Sequence, residues 1–399
     1  MNDTILNSFF PIEGKKNHGM SNSQIAYCMA MFDIGVSVGF VFCVMFSEFV
    51  SKYLEKLTLC SGILTGIFTF AFGTTNMIYN KHLYILVTFS LRIFNGLMSS
   101  CIWGPGWALL CSLSHNKSTT NKLTTLALTA TFFGYFSAPF CGTILYVNFG
   151  YGWPFFVIGL LEFSISVILL VYMSIKAREK QEEQTKVEHK KPEKILANLL
   201  QPHVIIHAYV IFEAAVLMGF FEATIALYLN TFSLSISEIG YIISTSCIIV
   251  IFLSLLSVYL NSKHYAETNL VGQFLFFSSM IVYSLSFINS MLSFSVEIAI
   301  SGFLLHSIGR AFHAGSTSLV LKHIFSNVFE ETSRNWANTT ALTLTSILFF
   351  CGRLFSFSAV SGLLVKILEY ETVVYVLISS SLLALCGEIF VFYKLKINA

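Results

Sequence analysis

The chain has 399 residues, 55% of them hydrophobic and 11% charged, with a formal net charge of +2. Soluble domains carry about 25% charged residues, so this composition excludes an ordinary water-facing surface. The small net charge, with no basic clusters interleaved with aromatics, excludes nucleic acid as a partner, and the nine cysteines form no disulfide framework, CxxC pair or zinc spacing.

A helix rises about 1.5 Å per residue and the hydrocarbon core is about 30 Å thick, so roughly 20 apolar residues cross it. Residues 1–23 are polar on average, carrying Asn2, Asp3, Glu13, Lys15, Lys16, Asn17 and His18. The apolar run that follows is too long for a signal peptide and is expected to be a membrane anchor. Spans are predicted at 24–50, 57–79, 83–112, 123–148, 153–175, 204–230, 237–260, 268–288, 294–322, 337–366 and 371–393. That makes about eleven, and their continuous rather than alternating hydrophobicity predicts helices, not a barrel. The expectation is an all-α polytopic membrane protein embedded in the lipid bilayer.

The longest polar stretch, 176–203, divides a first helical bundle of five spans (1–175) from a second of six (204–399). With this linker in the cytoplasm, one side of the membrane receives Lys52, Lys56, Lys117, Lys122, the linker bases, Lys263, Lys322, Arg334, Lys394 and Lys396. The other side receives only Lys15, Lys16, Lys81 and Lys366. That asymmetry follows the positive-inside rule and predicts a cytoplasmic C-terminus. The Asn2 sequon would then lie on the opposite side.

An ionisable side chain inside the membrane costs about 2.5–3.5 kcal/mol on insertion scales, so each needs a reason. The candidates are Asp33, Arg92, Glu162, Glu213, Glu222, Glu297, Arg310, Arg353 and Glu388. Glu297 and Glu388 lie near span ends and are expected to snorkel to the interface. Glu222 is read as the substrate or proton residue, because a carboxylate within a helix bundle can trade a proton for a cation. Its plainer reading is a polar residue hydrogen-bonded to a neighbour. Glu213, roughly two and a half turns earlier, need not share the same cavity, and Glu162 ranks with it. His306 and His313 share a helix face and are read, with Arg310, as polar cavity lining able to relay protons. No acidic or cysteine ligand stands at a suitable spacing beside them, so no metal and no cofactor is expected. Gly35, Gly39 and the Gly104–Gly106 segment around Pro105 are read as packing features.

A central basic linker followed by six helices resembles the major facilitator superfamily, whose two six-helix halves are related as repeats. Arg92, Asn95 and Gly96 resemble its fourth-helix motif. Gly134, Pro139 and Gly142 resemble its fifth-helix antiporter motif. The segment Gly150 to Phe156 and the run Gly219, Phe220, Phe221 and Glu222 resemble the vesicular amine and polyamine transporters in particular. Arg92 and Arg310 form an internal echo between the halves. On this resemblance the first helix of the usual twelve is missing, and residues 9–16 correspond to the outer loop after it.

The resemblance implies a secondary active transporter that exchanges a small organic cation for protons by alternating access, acting as a monomer in a secretory vesicle or endolysosomal membrane, or in the plasma membrane. It implies a proton-coupling role for Arg92. It also implies that the helices of Asp33 and Arg353 meet where the halves touch, allowing an inter-bundle salt bridge. Departures from the pattern are the absent Asp-Arg pair around Phe46 to Tyr53, Thr143 in place of a motif glycine, and Ser358 to Gly362 where a Gly-Pro motif is expected. A facilitator-like protein that is incomplete or no longer transports is the alternative. Neither a receptor, a channel nor a membrane enzyme finds a matching motif.

Overall fold

The structure, a computed structural model, describes residues 4–112, 130, 133–134, 137–179, 201–288, 295–326 and 334–397. The Asn2 sequon, Lys117, Lys122, much of the span predicted at 123–148 and most of the 176–203 linker lie outside the described residues.

The described residues are almost entirely helical. After a 3₁₀ turn, Ile5–Ser8, come α1 (Phe10–Lys16), α2 (Asn22–Met45), α3 (Ser47–Lys52), α4 (Leu54–Gly73) and α5 (Lys81–Ser112). Residues 137–149 form α6, followed by α7 (Gly152–Glu179). Then come α8 (Pro202–Asn230), α9 (Ile236–Ile288), α10 (Ser295–Ser326), α11 (Arg334–Phe355), a π-helical segment (Ser356–Leu364), α12 (Val365–Leu368) and α13 (Tyr370–Ile397). Helix α9 is two spans joined by a kink at His264, whose φ of −131° and ψ of 42° leave the helical region.

Helix ends follow local chemistry. Ser21 and Gln24 close a capping box at the start of α2, because the serine oxygen takes the Gln24 N–H and the Gln24 side chain takes the Ser21 N–H. Ser235 and Glu238 repeat the device before α9. Pro202 starts α8, where its missing N–H costs nothing.

Nine segments among the described residues are long and apolar enough to cross a membrane. Helix α10 is 32 residues long, but Glu297, His306, Arg310 and His313 interrupt its apolar run. The span predicted at 294–322 falls within α10, and of the span predicted at 123–148 the described residues include α6. Large apolar side chains cover the outer surface: Leu160, Leu161, Ile165, Ile168 and Val171 of α7 are more than half exposed, as a lipid-facing helix requires.

Helices α2, α4, α5 and α7 pack on one another, and α8 to α13 pack on one another. The two groups meet where α2 lies against α11 and the π segment. Contact between α2 and α5 depends on Gly35 and Gly96: a methyl on Gly35 would be driven into the Ile93 carbonyl, and one on Gly96 into the Phe32 carbonyl.

Residues 5–16 do not form a polar loop on the surface. Ile5, Leu6, Phe9 and Phe10 are buried, packing with Phe72, Tyr151, Phe155 and Ala223, while buried Ile12 joins the cluster of Leu217, Phe220 and Phe221. The lysines and asparagines that dominate the average composition hide this apolar series. Phe9 stacks on Tyr146 with ring centres 4.7 Å apart, and Tyr146 donates a 2.6 Å hydrogen bond to Glu13.

Candidate functional site

Four charged side chains from four helices meet between the two helical groups. Arg353 of α11 donates to Glu222 Oε2 of α8 at 2.9 Å through Nη2, and its Nη1 lies 3.6 Å from Asp33 Oδ1 of α2. Arg310 of α10 reaches the other oxygen of Glu222 at 3.4 Å. Two acids and two bases balance to zero formal charge, which is how a low-dielectric interior tolerates them. Asp33 and Arg353 are fully buried, while Arg310 is 18% exposed. The guanidinium of Arg353 is further flanked by the faces of Phe349 and Phe357, with ring centres at 5.8 and 5.2 Å.

The backbone positions these groups closely. Gly219, one turn before Glu222 on α8, lets α8 approach the Arg353 backbone and the Ser356 side chain. Ser356 donates a 2.6 Å hydrogen bond to the Val216 carbonyl, tying the start of the π segment to α8. The wider π turn begins three residues after Arg353, where a regular ladder is relaxed; such bulges are frequent at functional sites.

A cavity of about 40 Å³ lies beside the cluster. Glu222, Phe221 and Met218 of α8, Ser246 and Cys247 of α9, and His306, Ser307 and Arg310 of α10 line it. Thr4, Asn7 and Pro139 close the opposite wall. The N-terminal segment therefore forms part of the wall, which nothing in its composition signals. His306 is 2% exposed and sits between Phe221 and Phe276, and neither ring nitrogen has a hydrogen-bond partner among the described residues. Asn7 Oδ1 is likewise unbonded. Buried polar atoms of this kind are uncommon and ask for a ligand or water.

The other predicted residues lie elsewhere. Arg92 of α5 is buried over the face of Phe32, the residue before Asp33, and lies 4.6 Å from the ring centre. Glu162 of α7 accepts from Thr69 of α4 at 3.3 Å, and Asn95 donates to the same threonine at 3.2 Å. Glu213 is fully buried and accepts from Gln273 of α9 at 3.1 Å, away from the cavity wall. Of the antiporter-like motif, Pro139 lines the cavity, Gly142 abuts Ile5 and Gly134 is part-buried.

Two expectations are corrected. Glu388 does not snorkel: it is 1% exposed and bonded to His207 and Asn269. Its distance from the end of α13 would allow escape, but these inward partners hold it. His313 does not line the cavity around Glu222; it faces this second cluster through Thr317. His207 and Asn269 were missed, although a histidine inside the apolar run opening α8 was visible. Among the described residues no group of His, Cys, Asp or Glu could hold a metal ion.

Long apolar helices in two groups, with an ion network and a cavity where they meet, define a polytopic membrane protein. The family model of the Major Facilitator Superfamily matches residues 1–324, and the chain belongs to that superfamily. It is 25% identical over 251 residues to the mouse (Mus musculus) MFS-type transporter SLC18B1, covering 61% of this chain and 50% of the mouse protein. To the human (Homo sapiens) protein of that name it is 26% identical over 246 residues, covering 60% and 49%. The chain thus matches about half the length of these curated relatives.

Among solved structures it is similar to a bacterial homologue of the iron transporter ferroportin in its inward-facing state, with TM-score 0.63, 17% identity, and 98% and 95% of the two chains covered. It is also similar to a D-xylose-proton symporter, with TM-score 0.68, 13% identity, and 98% and 93% covered. These two likenesses show the fold.

Proposed function

We propose that the chain is a secondary active transporter exchanging a small organic cation, an amine or polyamine, for protons by alternating access. The observation that carries this reading is Glu222: a carboxylate on the cavity wall, shared between a tight contact to Arg353 and a looser one to Arg310. An ammonium entering the cavity competes with Arg310 at 3.4 Å rather than with Arg353 at 2.9 Å. The faces of Phe221 and Phe303 on the same wall suit a cation. His306 and Asn7 offer further polar contacts.

The cavity of about 40 Å³ admits a few waters but no polyamine, so loading requires it to open. In this reading the bundles 1–175 and 204–399 rock about the cavity between them, and the Asp33–Arg353 contact across α2 and α11 breaks and reforms as a gate. Arg92, Glu162 and Glu213 lie outside the cavity wall and would act by shaping the field around it. The chain would work as a monomer in a vesicular or endolysosomal membrane, with its C-terminus cytoplasmic. The description of the mouse and human relatives as MFS-type transporters supports transport.

The test is uptake into proteoliposomes under an imposed pH gradient, with spermidine and monoamines as substrates. Gradient-driven uptake that is lost in Glu222→Gln is the expected result. Absence of gradient-dependent uptake of every cation, in protein shown to be folded, would overturn the exchange mechanism.

A further inference from the structure

A second buried polar cluster lies in the C-terminal group of helices, away from the cavity. His207 of α8 is 0% exposed and Glu388 of α13 is 1% exposed. His207 Nδ1 lies 3.1 Å from Glu388 Oε2, and His207 Nε2 lies 3.1 Å from the Thr317 carbonyl of α10. The other Glu388 oxygen accepts from Asn269 of α9 at 2.6 Å. The orientation of Asn269 is fixed in turn: its oxygen accepts from Thr317 at 2.7 Å and from Ser316 at 3.0 Å.

Counting donors assigns the protons. A backbone carbonyl only accepts, so His207 Nε2 must carry hydrogen. A neutral imidazole would then turn a bare Nδ1 lone pair toward a carboxylate oxygen, which is repulsive. The observed 3.1 Å contact therefore requires a proton between Nδ1 and Oε2, whether the pair is written imidazolium and carboxylate or imidazole and carboxylic acid. With that proton the pair is neutral; without it, a buried unit negative charge remains and the contact must open.

The surroundings offer little to replace it. On the helices that supply the cluster, the ionisable side chains next to its members in sequence are His203 and Glu213 on α8, Glu267 on α9, His313 and His323 on α10, and Lys394 on α13. Of these, Lys394 is engaged with His203 at 3.4 Å, Glu213 with Gln273, and His313 with Thr317, while Glu267 is exposed. Glu222, by contrast, already shares two guanidiniums, so its charge is balanced with no proton at all.

We infer that His207 and Glu388 form a proton-binding site, distinct from the Glu222 cavity, that loads and unloads one proton during each transport cycle. The inference rests on the proposed transport reading and supplies its proton carrier. Because both groups are buried, the proton can leave only when α8, α10 and α13 part at the end of α8 next to residue 201. Proton exchange is thereby tied to helix movement.

Two measurements on the full chain test this. The first is infrared titration of reconstituted protein labelled with ¹³C-histidine, from about pH 5 to about pH 9. It needs no substrate, so it stands apart from the transport reading. An imidazolium band that titrates in the wild type and is missing from Glu388→Gln is expected. A wild type whose bands, apart from those of exposed histidines, do not change over this range would make the pair a static ion pair and overturn the site.

The second compares gradient-driven accumulation with counterflow at equal pH on both sides. Glu388→Gln and His207→Gln are expected to lower accumulation by at least about tenfold while keeping counterflow, whereas Glu222→Gln loses both. Accumulation unchanged in both variants, or counterflow lost with it in folded protein, refutes a proton-carrying role even where the cation exchange at Glu222 stands.

Discussion

Replacing Arg353 by methionine removes a base that faces two carboxylates, Asp33 and Glu222. Arg353 is 1% exposed and Asp33 is 0% exposed, so water cannot take over either contact in place. Breaking a buried ion pair from one side costs about 3–5 kcal/mol. Removing the 2.9 Å hydrogen bond to Glu222 puts this case toward the upper end. Asp33→Asn is milder, about 1–3 kcal/mol, because Arg353 keeps its 2.9 Å hydrogen bond to Glu222. The double variant Asp33→Asn with Arg353→Met restores neutrality, leaving Glu222 with Arg310. Its loss should therefore fall short of the sum of the two single losses by a coupling of about 2 kcal/mol. Thermal unfolding in detergent, followed by tryptophan fluorescence, gives the order. A double variant whose loss equals the sum of the two single losses would refute the shared-base reading. Exchanging the charges, Asp33→Arg with Arg353→Asp, is expected to fail for a separate reason: the new carboxylate at 353 would stand against Glu222.

His306→Phe should leave thermal stability equal or improved, because it removes two unbonded buried nitrogens, while weakening uptake of polar substrates; a clear loss of stability would mean that the ring is structurally bonded. Gly35→Ala should cost about 1–3 kcal/mol, read as a lower unfolding midpoint, since the added methyl meets the Ile93 carbonyl. A midpoint within error of the wild type would show that α2 and α5 can separate freely. Phe9→Ala should cost about 3–5 kcal/mol and expose residues 4–16 to protease, since Phe9 is fully buried against Tyr146, Tyr151 and Phe155. Unchanged protection would mean that Ile5, Leu6 and Phe10 hold the segment without it.

The spans were legible because twenty-residue apolar runs have few other uses, and the nine found among the described residues overlap nine of those predicted. Glu222 and Arg353 stood out because charge in such a run is costly. Their mutual contact was not legible: the sequence can pair Arg353 with Asp33 by depth and resemblance, but not reveal that α8 brings Glu222 to the same guanidinium. Glu388 misled for a similar reason. Depth along α13 suggested an escape route, whereas its partners come from α8 and α9, some 181 and 119 residues away in the chain. Residues 5–16 misled by averaging, since Lys15 and Lys16 outweigh the buried phenylalanines before them.

The two clusters differ in what neutralises them, and that difference suggests how they communicate. Around Glu222 the balancing charges are arginines, which keep their protons, so only another cation can replace them. Around Glu388 the balance is one transferable proton. Both clusters use the same two helices: His207 and Glu222 belong to α8, and Arg310 and Thr317 belong to α10. Arg310 and Thr317 are two turns apart on one face of α10. The α8 residues are separated by about 22 Å of helix, too far for direct electrostatic exchange through the bundle. A helix transmits displacement over that length without bending much. If a substrate ammonium displaces Arg310 and shifts α10 along α8, the Thr317 carbonyl moves relative to His207 in the same step. The contact that obliges Nε2 to keep its hydrogen is then lost, and with it the reason for a second proton on the ring. Coupling between cation and proton needs no wire of side chains between the sites, only the relative position of α8 and α10.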